Sequence, residues 1–110
     1  MRVQVDPEKF DSKGRQRVQG DSLDVTILRK DNKYYAFSSK CPHKGGPLFL
    51  GRPIGENGIM CPSHHIIFDI NSGKVLENPI PESMGEYRKC DSLKIIPVEA
   101  NDNLIFIEID

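Results

Sequence analysis

The sequence contains no tryptophan and only three cysteines and three histidines in 110 residues. Three cysteines cannot close a disulfide framework, so the chain is expected to fold without one, in a reducing compartment, the cytoplasm. Neither sign of charge is in surplus: 15 Lys and Arg face 16 Asp and Glu, a formal net charge of −1. That removes the electrostatic case for a nucleic-acid partner or a membrane surface. No apolar run approaches the roughly 20 residues of a spanning helix. Met1-Arg2-Val3-Gln4 does not begin a signal peptide, so no membrane anchor is expected. Internal repeats and low-complexity segments are also missing. Apolar residues make up 37%, which is modest. A chain this long still buries roughly two-thirds of its unfolded surface, so a single domain over residues 1–110 is expected.

The scarce residue types are not scattered. Residues 41–69 hold two of the three cysteines and all three histidines. They lie on two short stretches, Cys41-Pro42-His43 and Cys61-Pro62-Ser63-His64, each pairing a thiolate donor with an imidazole donor. Seventeen residues separate His43 from Cys61, five of them glycine. Structural zinc sites usually draw their donors as Cys-x2–4-Cys and His-x3–5-His pairs, or as four cysteines. One donor of each kind per loop suits a two-iron cluster instead, with the cysteines on one iron and the histidines on the other. Pro42 and Pro62 fix the backbone just after each cysteine. Gly45-Gly46 lets main-chain N–H groups approach bridging sulfides. The competing reading is a zinc-binding structural or interaction module that alternates its donors.

Around these loops the pattern is that of strands. Leu23, Val25 and Ile27 alternate with polar residues, Asp31-Asn32 is a turn, and residues 34–37 are aromatic and β-prone, which together predict a hairpin. Tyr34, Tyr35 and Phe37 belong to the core in this reading. Asp6-Pro7-Glu8 has the form of a helix start, one turn followed by loop through residue 19. Asn57-Gly58 predicts a hairpin turn leading into Cys61. Residues 66–70 and 74–76 form a second hairpin about Asn71-Ser72-Gly73. Asn78-Pro79-Ile80-Pro81 is a loop near the donors. Residues 93–96 and 104–109, turning at 101–103, are expected to close the fold as a hairpin. Leu104 and Phe106 oppose Ile105, Ile107 and Ile109, so the last strand is expected to be covered on both faces.

The two Cys-Pro loops, with Phe68-Asp69 and Ser72-Gly73 trailing the second, closely resemble the Rieske ferredoxins. The resemblance is strong over residues 34–81 and looser over the flanking strands. It implies an all-β fold, a small antiparallel β-sandwich or barrel with a cluster-binding subdomain, about residues 40–81, of two hairpin-tip loops. It implies one Rieske 2Fe–2S cluster, with Cys41 and Cys61 on one iron and His43 and His64 on the other. The Cys-x2-His spacing selects His64. The adjacent His65, where the family commonly has a small residue, is expected at the solvent-facing loop edge. Cys90 is expected to be a partly buried apolar filler, and Lys40, Lys44 and Arg52 solvated surface charge. Residues 82–92 are a polar stretch longer than the connection usual in bacterial Rieske ferredoxins.

The function implied is that of a monomeric one-electron carrier, not itself an enzyme, passing electrons from a reductase to a terminal oxygenase or similar acceptor. Rieske oxygenases add a mononuclear iron held by two histidines and a carboxylate, and this chain has one histidine to spare. The alternative within the family is the small Rieske-like subunit of a nitrite reductase. Respiratory Rieske proteins carry a serine and a tyrosine two and four residues after the second-loop histidine, and a disulfide ties their loops. Here those positions are Ile66 and Phe68, with Gly46 and Ser63 at the disulfide positions. Ser63 keeps one hydroxyl near the site. Missing hydroxyl donors imply a low-potential centre.

Overall fold

A computed structural model describes residues 1–109. Its elements are β1 (Arg2–Val5), β2 (Arg15–Gly20), β3 (Leu23–Lys30), β4 (Lys33–Ser38), β5 (Arg52–Ile54), β6 (Gly58–Met60), β7 (Ile67–Asp69), β8 (Val75–Glu77), β9 (Ile95–Ile96), β10 (Val98–Asn101) and β11 (Leu104–Glu108). Two 3₁₀ segments, Leu48–Leu50 and Glu82–Arg88, complete them. The strands form three antiparallel sheets, ordered β1-β11-β10, β2-β3-β4-β9 and β5-β6-β7-β8.

The β2-β3-β4-β9 sheet is the middle layer, and its composition shows why. Val25, Ile27 and Ala36 on one face join Val5, Ile96, Ile105 and Ile107 in one core. Leu28 and Phe37 on the other face join Leu48, Ile59, Ile66, Phe68 and Ile70 in a second core. Strand side chains alternate between faces, so a strand buried on both sides loses its polar alternation. That explains Leu28, which interrupts the simple pattern. Tyr34 and Tyr35 divide the same way, one packed against each core. The β3–β4 turn is Asp31-Asn32, both at positive φ (52° and 64°), as a tight two-residue hairpin requires.

Several expectations are corrected. Residues 15–20, expected as loop, are β2, paired along its whole length with β3. Asp6 makes its turn, accepting the Glu8 N–H at 2.9 Å, but no helix follows. The closing hairpin is β10–β11. Ile95 and Ile96 instead pair with Phe37 and Ala36 of β4. The last strand is not covered on both faces: Ile105 and Ile107 are buried, whereas Leu104 is exposed and Phe106 carries the Arg2 guanidinium 4.2 Å from its ring centre. In the β5–β6 turn the left-handed residue is Gly55 (φ +63°), not Asn57-Gly58. Gly58 begins β6, where an added Cβ would meet the Ile54 carbonyl oxygen at 2.7 Å. The third sheet is also tied to the middle one by polar contacts. Arg15 Nη1 donates to the Phe49 and Gly51 carbonyls, each at 3.1 Å, and Lys30 Nζ donates to the Gly55 carbonyl at 2.9 Å.

Candidate metal centre

The two Cys-Pro loops have one backbone design. In the first, the Cys41 N–H donates to the Gly46 carbonyl and the Gly45 N–H to the Cys41 carbonyl, both at 2.8 Å. In the second, the Cys61 N–H donates to Ile66 and the His65 N–H to Cys61, both at 2.9 Å. Each loop turns on a residue at positive φ four places after its cysteine: Gly45 at 72° and His65 at 61°. Glycine meets that geometry without cost, whereas an L side chain gives up roughly 1–2 kcal/mol. The same frame sends the His65 side chain out to solvent, as the spacing predicted, and turns His64 inward.

The loops meet closely. A Cβ on Gly46 would sit 2.6 Å from Ser63 Oγ, 3.1 Å from Ser63 Cβ and 3.2 Å from Cys61 Sγ. Gly46 is therefore glycine because the second loop occupies its side-chain space. A disulfide needs Cβ atoms about 3.5–4.5 Å apart; these positions lie slightly closer than that, without the cysteines to form one.

Four donors converge in two pairs. Cys41 and Cys61 are both buried and belong to the apolar core with Leu48, Ile66 and Phe68. Burial pushes the Cys41 thiol up to about 12, with the neighbouring Cys61 thiol adding to the rise. Both thiols must lose protons to bind metal, and a cationic centre offsets that desolvation. His43 is buried, His64 half-buried, and their Nδ1 atoms face each other at 3.3 Å with ring planes 80° apart. Two imidazole nitrogens on one tetrahedral metal, each about 2.0–2.1 Å from it, lie about 3.3–3.4 Å apart. The histidine pair is thus spaced to share one metal.

A single zinc ion does not suit these donors. Structural zinc takes four protein ligands, and among the described residues no three His, Cys, Asp or Glu side chains gather about one ion. Two pairs, each short of a full shell, match a dinuclear cluster whose bridging sulfides supply the rest.

A family model for the Rieske [2Fe-2S] domain matches residues 3–96. The chain belongs to the Rieske [2Fe-2S] domain family. Its cofactor is accordingly a Rieske 2Fe–2S cluster held by Cys and His. Among similar proteins, the ferredoxin subunit of 3-phenylpropionate/cinnamic acid dioxygenase from Photorhabdus laumondii is 26% identical over 86 residues, 78% of this chain and 73% of that protein. Human apoptosis-inducing factor 3 is 33% identical over 64 residues, 58% of this chain. The matched stretch is 10% of that protein, so the Rieske chain spans about a tenth of the first curated relatives it matches. The ferredoxin of carbazole 1,9a-dioxygenase from Nocardioides aromaticivorans IC177 superposes with a TM-score of 0.76 at 20% identity, covering 96% of this chain and 95% of that one. Among the described residues no helix is long and apolar enough to cross a membrane.

One residue of the Rieske site escaped the sequence reading. Tyr87, in the 3₁₀ segment Glu82–Arg88, places its hydroxyl 2.6 Å from His64 Nε2, and its backbone carbonyl bonds His43 Nε2. Its ring stands at 90° to both imidazoles, with centroids 5.4 Å away. The available signal was a single aromatic residue in the polar stretch 82–92.

Cys90 is half-buried against the core around the site, as expected for a filler, and burial raises its thiol pKa. Lys44 lies with its Nζ 5.3 Å from the Tyr87 ring centre, while Lys40 and Arg52 are exposed.

Proposed function

We propose that this Rieske chain is a one-electron carrier, with Cys41 and Cys61 holding one iron and His43 and His64 the other. It would take electrons from a reductase and deliver them to a terminal oxygenase or similar acceptor. The observation that carries the reading is the polarity of the site. Both thiols are buried in the core, whereas the two imidazoles meet at 3.3 Å on the side where His64 is half-buried and Tyr87 is exposed. When bound, the cluster accepts and releases a single electron. The chain's residues hold it stiffly, shield the cysteine end from water and leave the histidine end nearest a partner.

The reading also places the chain among carriers rather than enzymes. A terminal oxygenase needs a further iron with two histidines and a carboxylate. Within residues 1–110 His65 is the one histidine outside the proposed ligand set, so these residues by themselves supply the electron-transfer centre and not that second iron. The ferredoxin subunit of a dioxygenase among its relatives supports an oxygenase as acceptor. Its cysteines, all unpaired, suit a reducing compartment such as the cytoplasm. The whole chain would work as one monomeric module, with residues 40–81 as its cluster-binding part.

The buried side chains at Ile66 and Phe68 bring no hydroxyl to the cluster, and a centre with fewer donors holds the extra electron less tightly. A redox titration should therefore fit a one-electron couple with a midpoint of roughly −150 to 0 mV, the lower part of the Rieske span. A midpoint above about +150 mV would mean that the missing hydroxyls do not set the potential. Absence of a reversible one-electron couple would remove the carrier reading itself.

A further inference from the structure

We propose that Tyr87 is a positioning residue that clasps both histidine ligands from outside and biases the centre toward its oxidised state. This rests on the ligand assignment above and adds a role for residues 82–92. The two Nδ1 atoms face each other, while both Nε2 atoms face Tyr87, one toward its backbone carbonyl and one toward its hydroxyl. With Nδ1 committed to metal, each Nε2 keeps its proton and donates it outward. One residue therefore accepts from both ligands, where two separate acceptors or two waters would otherwise serve.

The segment is built to keep that residue in place. It consists of two short 3₁₀ turns joined at Gly85, whose positive φ of 55° makes the kink. Beyond Tyr87 the chain is pinned twice: Arg88 Nε donates to the Ile80 carbonyl at 2.7 Å, and Asn78 Nδ2 donates to the Arg88 carbonyl at 2.8 Å. Ile80 itself is buried in the core that holds Cys41 and Cys61. The proline loop thus connects the cysteine side of the site to the residue that covers its histidine side.

The chemical consequence has a definite sign. An acceptor on the outer N–H of a metal-bound imidazole fixes the ring's tautomer and orientation and raises its basicity. A more basic ligand favours the more highly charged, ferric iron. Removing the acceptor should therefore raise the midpoint.

Tyr87→Phe keeps the ring and the carbonyl contact to His43 and deletes only the hydroxyl at His64. We expect unchanged iron and sulfide content and a higher midpoint. The reduced-to-oxidised ratio at fixed ambient potential should rise about threefold, equivalent to about 28 mV on the scale of 59 mV per tenfold for one electron. Pulsed EPR on protein with ¹⁵N-histidine should show one imidazole coupling altered and the other retained. Arg88→Ala, which unpins the segment without touching either histidine, should shift the midpoint the same way, and it decides the matter if Tyr87→Phe loads poorly. Met84→Ala, on the same segment and exposed, should leave the midpoint in place. Fully loaded Tyr87→Phe with wild-type midpoint and both couplings unchanged would overturn the clasp while leaving the ligand assignment intact. A wild-type protein without a 2Fe–2S cluster would remove both.

Discussion

Gly73→Ala is expected to be the most damaging single-methyl change in this chain, costing about 3–5 kcal/mol, at the upper end of point-mutant effects. Gly73 lies in the turn between β7 and β8 at φ +80°, and an ideal Cβ there would sit 2.0 Å from the Leu93 carbonyl oxygen and 3.2 Å from Ile95 Cγ1. The contact cannot be relieved by a rotamer, because the obstacle is backbone. That backbone is itself fixed: the Leu93 N–H donates to the Gly73 carbonyl at 2.7 Å, and Leu93 is buried in the core beneath the cluster loops. Admitting the methyl means separating the β7–β8 turn from the segment leading to β9. Gly55 is the control. It has a similar φ of +63° but nothing within 4 Å of its would-be Cβ, so Gly55→Ala should cost only the left-handed penalty, about 1–2 kcal/mol. Urea unfolding of the two loaded variants under identical conditions ranks them. Equal midpoints would show that the approach of Leu93 to Gly73 is not maintained in solution.

His64→Ala should abolish the normal cluster, and His65→Ala should leave its visible and EPR spectra intact. The two residues are neighbours in sequence with opposite surroundings. His64 aims Nδ1 at His43 Nδ1 from 3.3 Å and its other nitrogen at Tyr87, whereas His65 is exposed and takes the left-handed backbone position that Gly45 takes in the first loop. Loss of one ligand leaves an iron with an open position and a cavity where an imidazole was. Removal of the His65 side chain deletes solvent-exposed atoms only. His65→Gly should go further and stabilise the loop by about 1 kcal/mol, since glycine adopts positive φ freely. A normal cluster in His64→Ala, lost in His65→Ala, would move the second loop's ligand by one residue.

The sequence displayed the site more fully than the scaffold. Cys41, His43, Cys61 and His64 could be proposed as the ligands because donor type and spacing along a short loop are local properties, and the structure brings the two imidazoles face to face. The hairpin β3–β4 was legible for the same reason: alternation and an Asp31-Asn32 turn are written within a few residues. β2 was not, because Val18 is its lone aliphatic residue and its strand character comes from pairing with β3. The first arm of the closing hairpin lies at Val98–Asn101, five residues beyond the expected 93–96, an expectation that arose because 93–96 is the more apolar stretch. What selects the true arm is the pairing of Ile95 and Ile96 with β4, a partner about 60 positions upstream. Tyr87 escaped for the same physical reason. Its contacts reach 44 residues back to His43 and 23 to His64, and nothing local to residues 82–92 encodes them.

Iron and acid-labile sulfide in protein purified without air are the most direct measure of the central claim, that two mixed-donor loops hold a Rieske cluster. About two irons and two sulfides per chain are expected, with the reduced protein showing EPR couplings to two imidazole nitrogens. The cysteine pair and the histidine pair would then each account for one iron. A colourless protein carrying one zinc per chain and no sulfide would contradict the account at its root.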